Sequence, residues 1–84
     1  MEFQLRVKPS AQKELNKLSK EDYYRILAAF SLIVKDPFIG KKLKREYCGC
    51  YSYRIWPHRI IYQIYKKELA ILVIKIGHRQ GVYR

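Results

Sequence analysis

Only seven of the 84 residues are acidic and only two are cysteine, and each scarcity removes a class of chemistry. The carboxylates are scattered and fall mostly in helical stretches, which leaves no acidic cluster able to hold Mg2+. Cys48 and Cys50 stand in C-G-C with no second Cys/His pair, whereas a zinc site wants four ligands at workable spacing. Their spacing also argues against a disulfide, so reduced thiols in a cytoplasmic protein are expected. P-loop, G-x-S-x-G and H-E-x-x-H motifs are absent. The longest apolar run, "LAILVI", is far too short to span a bilayer. The start, "MEFQLRVKPS", lacks the apolar stretch of a signal peptide. Neither a metal, nor a cofactor, nor a membrane is expected.

What is present is an apolar fraction of 49% and an aromatic fraction of 14%. These suffice for one hydrophobic core and argue against disorder. The length points to a single domain over residues 1–84, near the lower limit for a core that stabilises itself alone. The charge is the strongest bulk signal, with 18 basic against 7 acidic residues for a net +11. Residues 1–40 hold seven basic and five acidic residues, and residues 41–84 hold eleven and two. A half-domain that basic repels itself unless an anion is nearby, which points to nucleic acid, an acidic protein or an anionic surface.

"EFQLRV" alternates Phe3, Leu5 and Val7 against Glu2, Gln4 and Arg6, the pattern of a half-buried strand. "KPS" breaks it, and Ser10 is expected to cap a short helix over 11–18. Ser19, with Asp22 three residues on, offers a second cap. The stripe of Tyr23, Ile26, Leu27, Phe30, Ile33 and Val34 then marks a longer helix ended by "KDP". "FIGKKLKREYCGC" reads as a basic linker, partly loop. Beyond it the period becomes two, with strands at "YSYRIW" and "RIIYQIY", a turn at "PH" and an apolar strand "LAILVIKI". The expected order is β-α-α-β-β-β. This is an α+β fold with a helical hairpin packed on one face of a mainly antiparallel four-stranded sheet.

The two faces of such a sheet have different fates. Ile60, Tyr62 and Ile64 must be core, which sends Arg59 to the open face. On the preceding strand Ser52, Arg54 and Trp56 oppose Tyr51, Tyr53 and Ile55. If Arg54 emerges beside Arg59, two guanidiniums share one surface. The closing "IGHRQGVYR" could fold Arg79 and Tyr83 back beside them. Arginines in a concavity poor in carboxylates suit phosphate, and an interleaved tyrosine offers a stacking face for an unpaired base. For RNA, metal-free cleavage is feasible because the 2′-OH is an internal nucleophile. His58 and His78, which titrate in the useful range, are candidates for a catalytic role.

The tandem "YRI…HRIIYQI", the apolar strand and the "GHR…VY" ending resemble the C-terminal half of the RelE/ParE toxin superfamily. "DPFIGKKLKREYCGCY" is similar to the family's passage before it. The resemblance implies a toxin of a type II toxin–antitoxin pair, nearest the RelE branch. Members of that branch cut mRNA in the ribosomal A site, without metal, through a 2′,3′-cyclic phosphate. By position Arg54 matches a basic strand residue, and Arg59 the arginine that stabilises phosphate charge. Arg79 matches the proton donor to the leaving group, and Tyr83 the stacking tyrosine. Where well-studied RelE proteins carry two lysines at alternate strand positions, this sequence has Ser52 and Arg54. The resemblance further implies RNA and ribosome contacts from Lys41, Lys42, Lys44, Arg45, Ser52 and Arg84. The implied partners are the ribosome, mRNA and an acidic RelB-like antitoxin bearing an amphipathic helix. The alternative within the superfamily is a ParE-like inhibitor of DNA gyrase that binds protein and performs no RNA chemistry.

Overall fold

The computed structural model describes residues 2–78, without the side chain of His78. Strand β1 (Gln4–Val7) leads into helices α1 (Pro9–Asn16) and α2 (Lys20–Lys35). A 3-10 turn at Pro37–Ile39 and the two-residue strand β2 (Lys41–Lys42) follow, then a second 3-10 turn at Arg45–Tyr47. The chain continues as β3 (Cys50–Ile55), β4 (His58–Tyr65) and β5 (Ala70–His78). The sheet order is β1-β5-β4-β3-β2, with β1 parallel to β5 and the other pairs antiparallel. The expected α+β class and helical hairpin hold, and the sheet has a fifth strand, β2, inside what read as a linker.

Helix α1 starts earlier than its apolar spacing suggested. Pro9 takes the first helical position, where a missing N–H costs nothing, so Lys8 becomes the cap residue and makes no side-chain capping bond. Ser10 therefore lies inside the helix and is not its cap. Ser19 does cap α2, its Oγ accepting from the Asp22 N–H at 3.2 Å. Glu21 and Asp22 suit the positive end of that helix. Asp36 ends it before Pro37, and its carboxylate accepts from the Phe38 N–H. The turn between β3 and β4 falls at Trp56 and Pro57, joined by a cis peptide bond, with His58 already in the strand.

The main core is one layer between the hairpin and the sheet. Ala11 and Leu15 of α1, with Ile26, Ala29, Phe30 and Ile33 of α2, meet Ile60, Tyr62, Ile71, Val73 and Ile76. Beyond Val73 strand β1 has ended, and Glu14 of α1 takes over its role. One Glu14 oxygen accepts from the Ile76 N–H at 3.0 Å, and the other faces the Lys75 Nζ at 3.4 Å. On the opposite face a smaller cluster joins Leu43, Cys50 and Ile61, with Tyr47 and Ile74 packed against it. Residues 43–49 thus fold back over half of a face that strand alternation alone would leave open.

Tyr62 is fully buried, and its hydroxyl is nonetheless satisfied. It donates to the Pro37 carbonyl at 2.8 Å and accepts from the Gly40 N–H at 3.2 Å. A Cβ on Gly40 would sit 2.6 Å from that hydroxyl, so only glycine admits this approach. Burial pushes the phenol up to about 12 from an ordinary 10.

Two outcomes follow for stability. Ser19→Ala should cost about 1 kcal/mol in denaturant unfolding, whereas Ser10→Ala should leave the midpoint almost unchanged. Because the fold favours the neutral Tyr62 phenol, its contribution is fully present below pH 10 and lost as pH rises towards 12. About 2–3 kcal/mol should disappear over that interval. A tyrosinate absorbance component with a midpoint near 12, removed by Tyr62→Phe, is the check.

Candidate nucleic-acid interface

Strand alternation sends Tyr51, Tyr53 and Ile55 towards the helices and Cys50, Ser52 and Arg54 away from them. Strand β4 does the same with Ile60, Tyr62 and Ile64 against Arg59, Ile61 and Gln63. The antiparallel register then pairs Arg54 directly with Arg59. Like charges placed opposite across two strands cost stability, and an anion between them would remove that cost. Arg59 is only 7% exposed while Arg54 is open to solvent. One guanidinium is therefore held by its surroundings and the other is free to adjust.

A concavity of about 440 Å3 lies over this pair, lined by Arg54, Arg59, Lys41, Lys42, Leu43 and Lys44. Among the described residues, five of the six that line it are basic and none is acidic. An adjoining hollow of about 340 Å3 shares Lys41, Arg54 and Arg59 and reaches Ser52. Lys41 is the register partner of Ser52, and Lys42 that of Tyr51. The Ser52 Oγ is buried and has no hydrogen-bond partner among the described residues. Arg45 is exposed, holds a backbone φ of 63° and lines neither hollow.

His58 lies apart from the arginines. It shares the helix-facing side of β4 with Ile60, and its Nε2 is 3.1 Å from an Asp22 carboxylate oxygen. An ionised carboxylate can only accept, so the imidazole Nε2 is the donor in this contact. The His58 hydrogen bond holds the Asp22 carboxyl below its ordinary 3.8; burial opposes the effect, and Arg25, 3.3 Å away, adds to it. The backbone of His78 closes β5 opposite His58, with Gly77 opposite Arg59. Arg79, Tyr83 and Arg84 lie outside the described residues.

The cysteines remain free thiols, Cys48 exposed in a turn and Cys50 buried at the start of β3. Burial pushes the Cys50 thiol up, outweighing its hydrogen bond with Gln63. No helix among the described residues is long and apolar enough to cross a membrane.

The β2 strand and the apolar cluster around Leu43 are not apparent from the sequence. Their one local signal is Leu43 alternating with lysines in "KKLK", a half-buried pattern hidden by its charge. The Asp22–His58 contact joins residues 36 apart and has no local signal.

The model of the ParE toxin of the type II toxin–antitoxin system parDE matches residues 5–83. The toxin RelG of Mycobacterium tuberculosis is 31% identical over 90 residues, which span 100% of this chain and 99% of RelG. A chain of the RelBE2 toxin–antitoxin complex from the same organism superposes with a TM-score of 0.86 at 26% identity, covering 94% of this chain and 100% of that one. A chain of the archaeal RelE–RelB complex from Pyrococcus horikoshii gives 0.79 at 26% identity, with 94% and 97% covered. A RelE mutant from Escherichia coli, at 21% identity and a TM-score of 0.81 over 98% of this chain and 88% of that one, shares the fold. The chain belongs to the RelE/ParE superfamily and is a toxin of a type II toxin–antitoxin system with a RelE-like structure.

Proposed function

We propose that the protein is a ribosome-dependent mRNA endoribonuclease that cleaves in the A site and so halts translation. The observation that carries this reading is the facing Arg54–Arg59 pair beneath a concavity whose charged lining, among the described residues, is basic. In this reading the substrate 2′-OH attacks the adjacent phosphorus and the 5′-oxygen leaves, forming a 2′,3′-cyclic phosphate. Arg59, fixed by burial, stabilises the charge that builds on the non-bridging oxygens, and Arg54 follows it from the open side. Arg79 protonates the leaving oxygen, and Tyr83 stacks on the base and orients it. Arginine stays protonated at working pH, so it has no lone pair with which to take the 2′-OH proton, whereas the leaving 5′-alkoxide is basic enough to accept one from Arg79. Because His58 is engaged with Asp22 on the helix side, this reading gives it to the fold and leaves His78 as the histidine candidate. Lys41, Lys42 and Lys44 contact the RNA backbone beside the cleavage point, Ser52 offers a hydroxyl at its floor, and Arg45 and Arg84 add charge towards the ribosome.

The same reading places the protein in the cytoplasm with an acidic, RelB-like antitoxin. The complexes of RelE-type toxins with RelB from M. tuberculosis and P. horikoshii support such a partner. Gyrase inhibition is the second reading, favoured by the match to the ParE toxin model over residues 5–83.

Primer extension on mRNA translated in the presence of the protein, with ribosome-free mRNA as control, tests the choice. Cleavage should appear only on translated message. Arg59→Ala should reduce it by about 10²–10³-fold, the usual cost of losing one preorganised charge donor. Arg79→Ala and Tyr83→Ala should also lose cleavage while melting as the wild type does. Inhibition of purified gyrase in a supercoiling assay, with no RNA cut, would establish the second reading instead.

A further inference from the structure

We infer that Tyr62 is a positioning residue for the basic surface: its phenol places strand β2 so that Lys41, on the face of Ser52, and Lys42, at the strand's edge, line the hollow beside Arg54 and Arg59 and form a second row of phosphate contacts. This rests on the reading of the concavity as an RNA surface. Tyr62 never reaches that surface. It stands on the helix-facing side of β4, and its hydroxyl meets the chain where residues 37–40 pass the edge of β3. The next two residues are the whole of β2.

A two-residue strand has little pairing of its own to hold its register. Left to itself, the segment from Gly40 to Lys44 would spread its cations into solvent, since each side chain gains entropy and loses repulsion by moving apart. Three contacts oppose that. The phenol grips Pro37 and Gly40, the Leu43 N–H donates to the Cys50 carbonyl at 2.9 Å, and Leu43 is buried against Ile61. The phenol is also braced from β3, where the Tyr51 ring stacks on Tyr62 at 5.9 Å and 19°. Phe38 then packs edge-on to Tyr51 at 5.7 Å, and the Lys66 Nζ lies 5.3 Å from the Phe38 ring centroid. Gly40 completes the device, since any side chain there would meet both the hydroxyl and the Ser52 carbonyl. The lysines so placed share their hollow with the arginine pair. Successive phosphates of one strand can then be met from both sides.

The test is the salt dependence of binding to a short single-stranded RNA, followed by fluorescence anisotropy with full-length protein freed of its antitoxin. Lys41→Ala with Lys42→Ala should make the slope of log K against log salt shallower by about 0.7 for each phosphate no longer neutralised. Tyr62→Phe and Gly40→Ala, which change no charge, should each flatten the slope in the same direction. In the Tyr62→Phe background, removing the two lysines should add little. Gly40→Ala decides the matter wherever Tyr62→Phe melts below the assay temperature. If the lysine variants flatten the slope while Tyr62→Phe and Gly40→Ala keep the wild-type value, the inference falls and the RNA surface stands. If the lysine variants leave the slope unchanged, β2 does not meet RNA, and both the inference and that part of the functional reading fall.

Discussion

Strand β4 has two faces to fill, and the way it fills them governs the molecule. Ile60 and Tyr62 are fully buried against the helices, which leaves Arg59 no place but the other side. Pairing with β3 then brings Arg54 opposite, and pairing with β5 brings the end of that strand alongside. A slip of one residue would send Arg59 into the apolar layer and Ile60 into the basic hollow. Each outcome would cost several kcal/mol in desolvation or forfeited burial. The hydrophobic core thus selects the register, and the register selects which cations meet. A repulsive pair such as Arg54 and Arg59 persists because the layer beneath it over-determines where the backbone must lie.

The second face is divided rather than open. Leu43, Cys50 and Ile61 bury one half under residues 43–49, and the cations hold the other. This division supplies the low-polarity wall that a charge site needs, since field lines from a guanidinium reach further beside apolar surface than in water. It also explains why Ser52 and Arg59 are buried polar residues on a face that water would otherwise cover.

Those parts of the fold that depend on near neighbours were legible in the residues. The period-two alternation of β4, the Ser19 cap and the stop at Asp36 and Pro37 each involve contacts within a few positions. Ser10 misled because Pro9 outcompetes it for the start of the helix, a choice between two local signals. Strand β2 was illegible for a different reason. The residue before it, Gly40, is bonded to a phenol 22 residues further on, and a run of lysines gives no hint of it. His58 sits beside Arg59 in sequence, yet strand alternation turns it to Asp22. At the site itself, alternation required Arg59 on the outer face, and the cross-strand register brought Arg54 opposite it. The roles of Arg79 and Tyr83 rest on resemblance.

The site therefore combines two grades of order. Arg59 stands on a long strand between two paired neighbours, with a fully buried residue following it at Ile60, so moving it means disturbing the core. Preorganisation of that kind is what charge stabilisation in a transition state requires, because a donor that must reorient gives back part of what it contributes. The lysines stand on a two-residue edge strand, and their exposed heads remain adjustable. Adjustable cations suit a backbone whose spacing varies along a single strand, where proximity matters more than fixed geometry. For the proposed cleavage, a rigid charge beneath the phosphate and compliant charges beside it would be different requirements. In the proposed reading burial within the sheet would meet the first, and the edge strand beside Tyr62 the second.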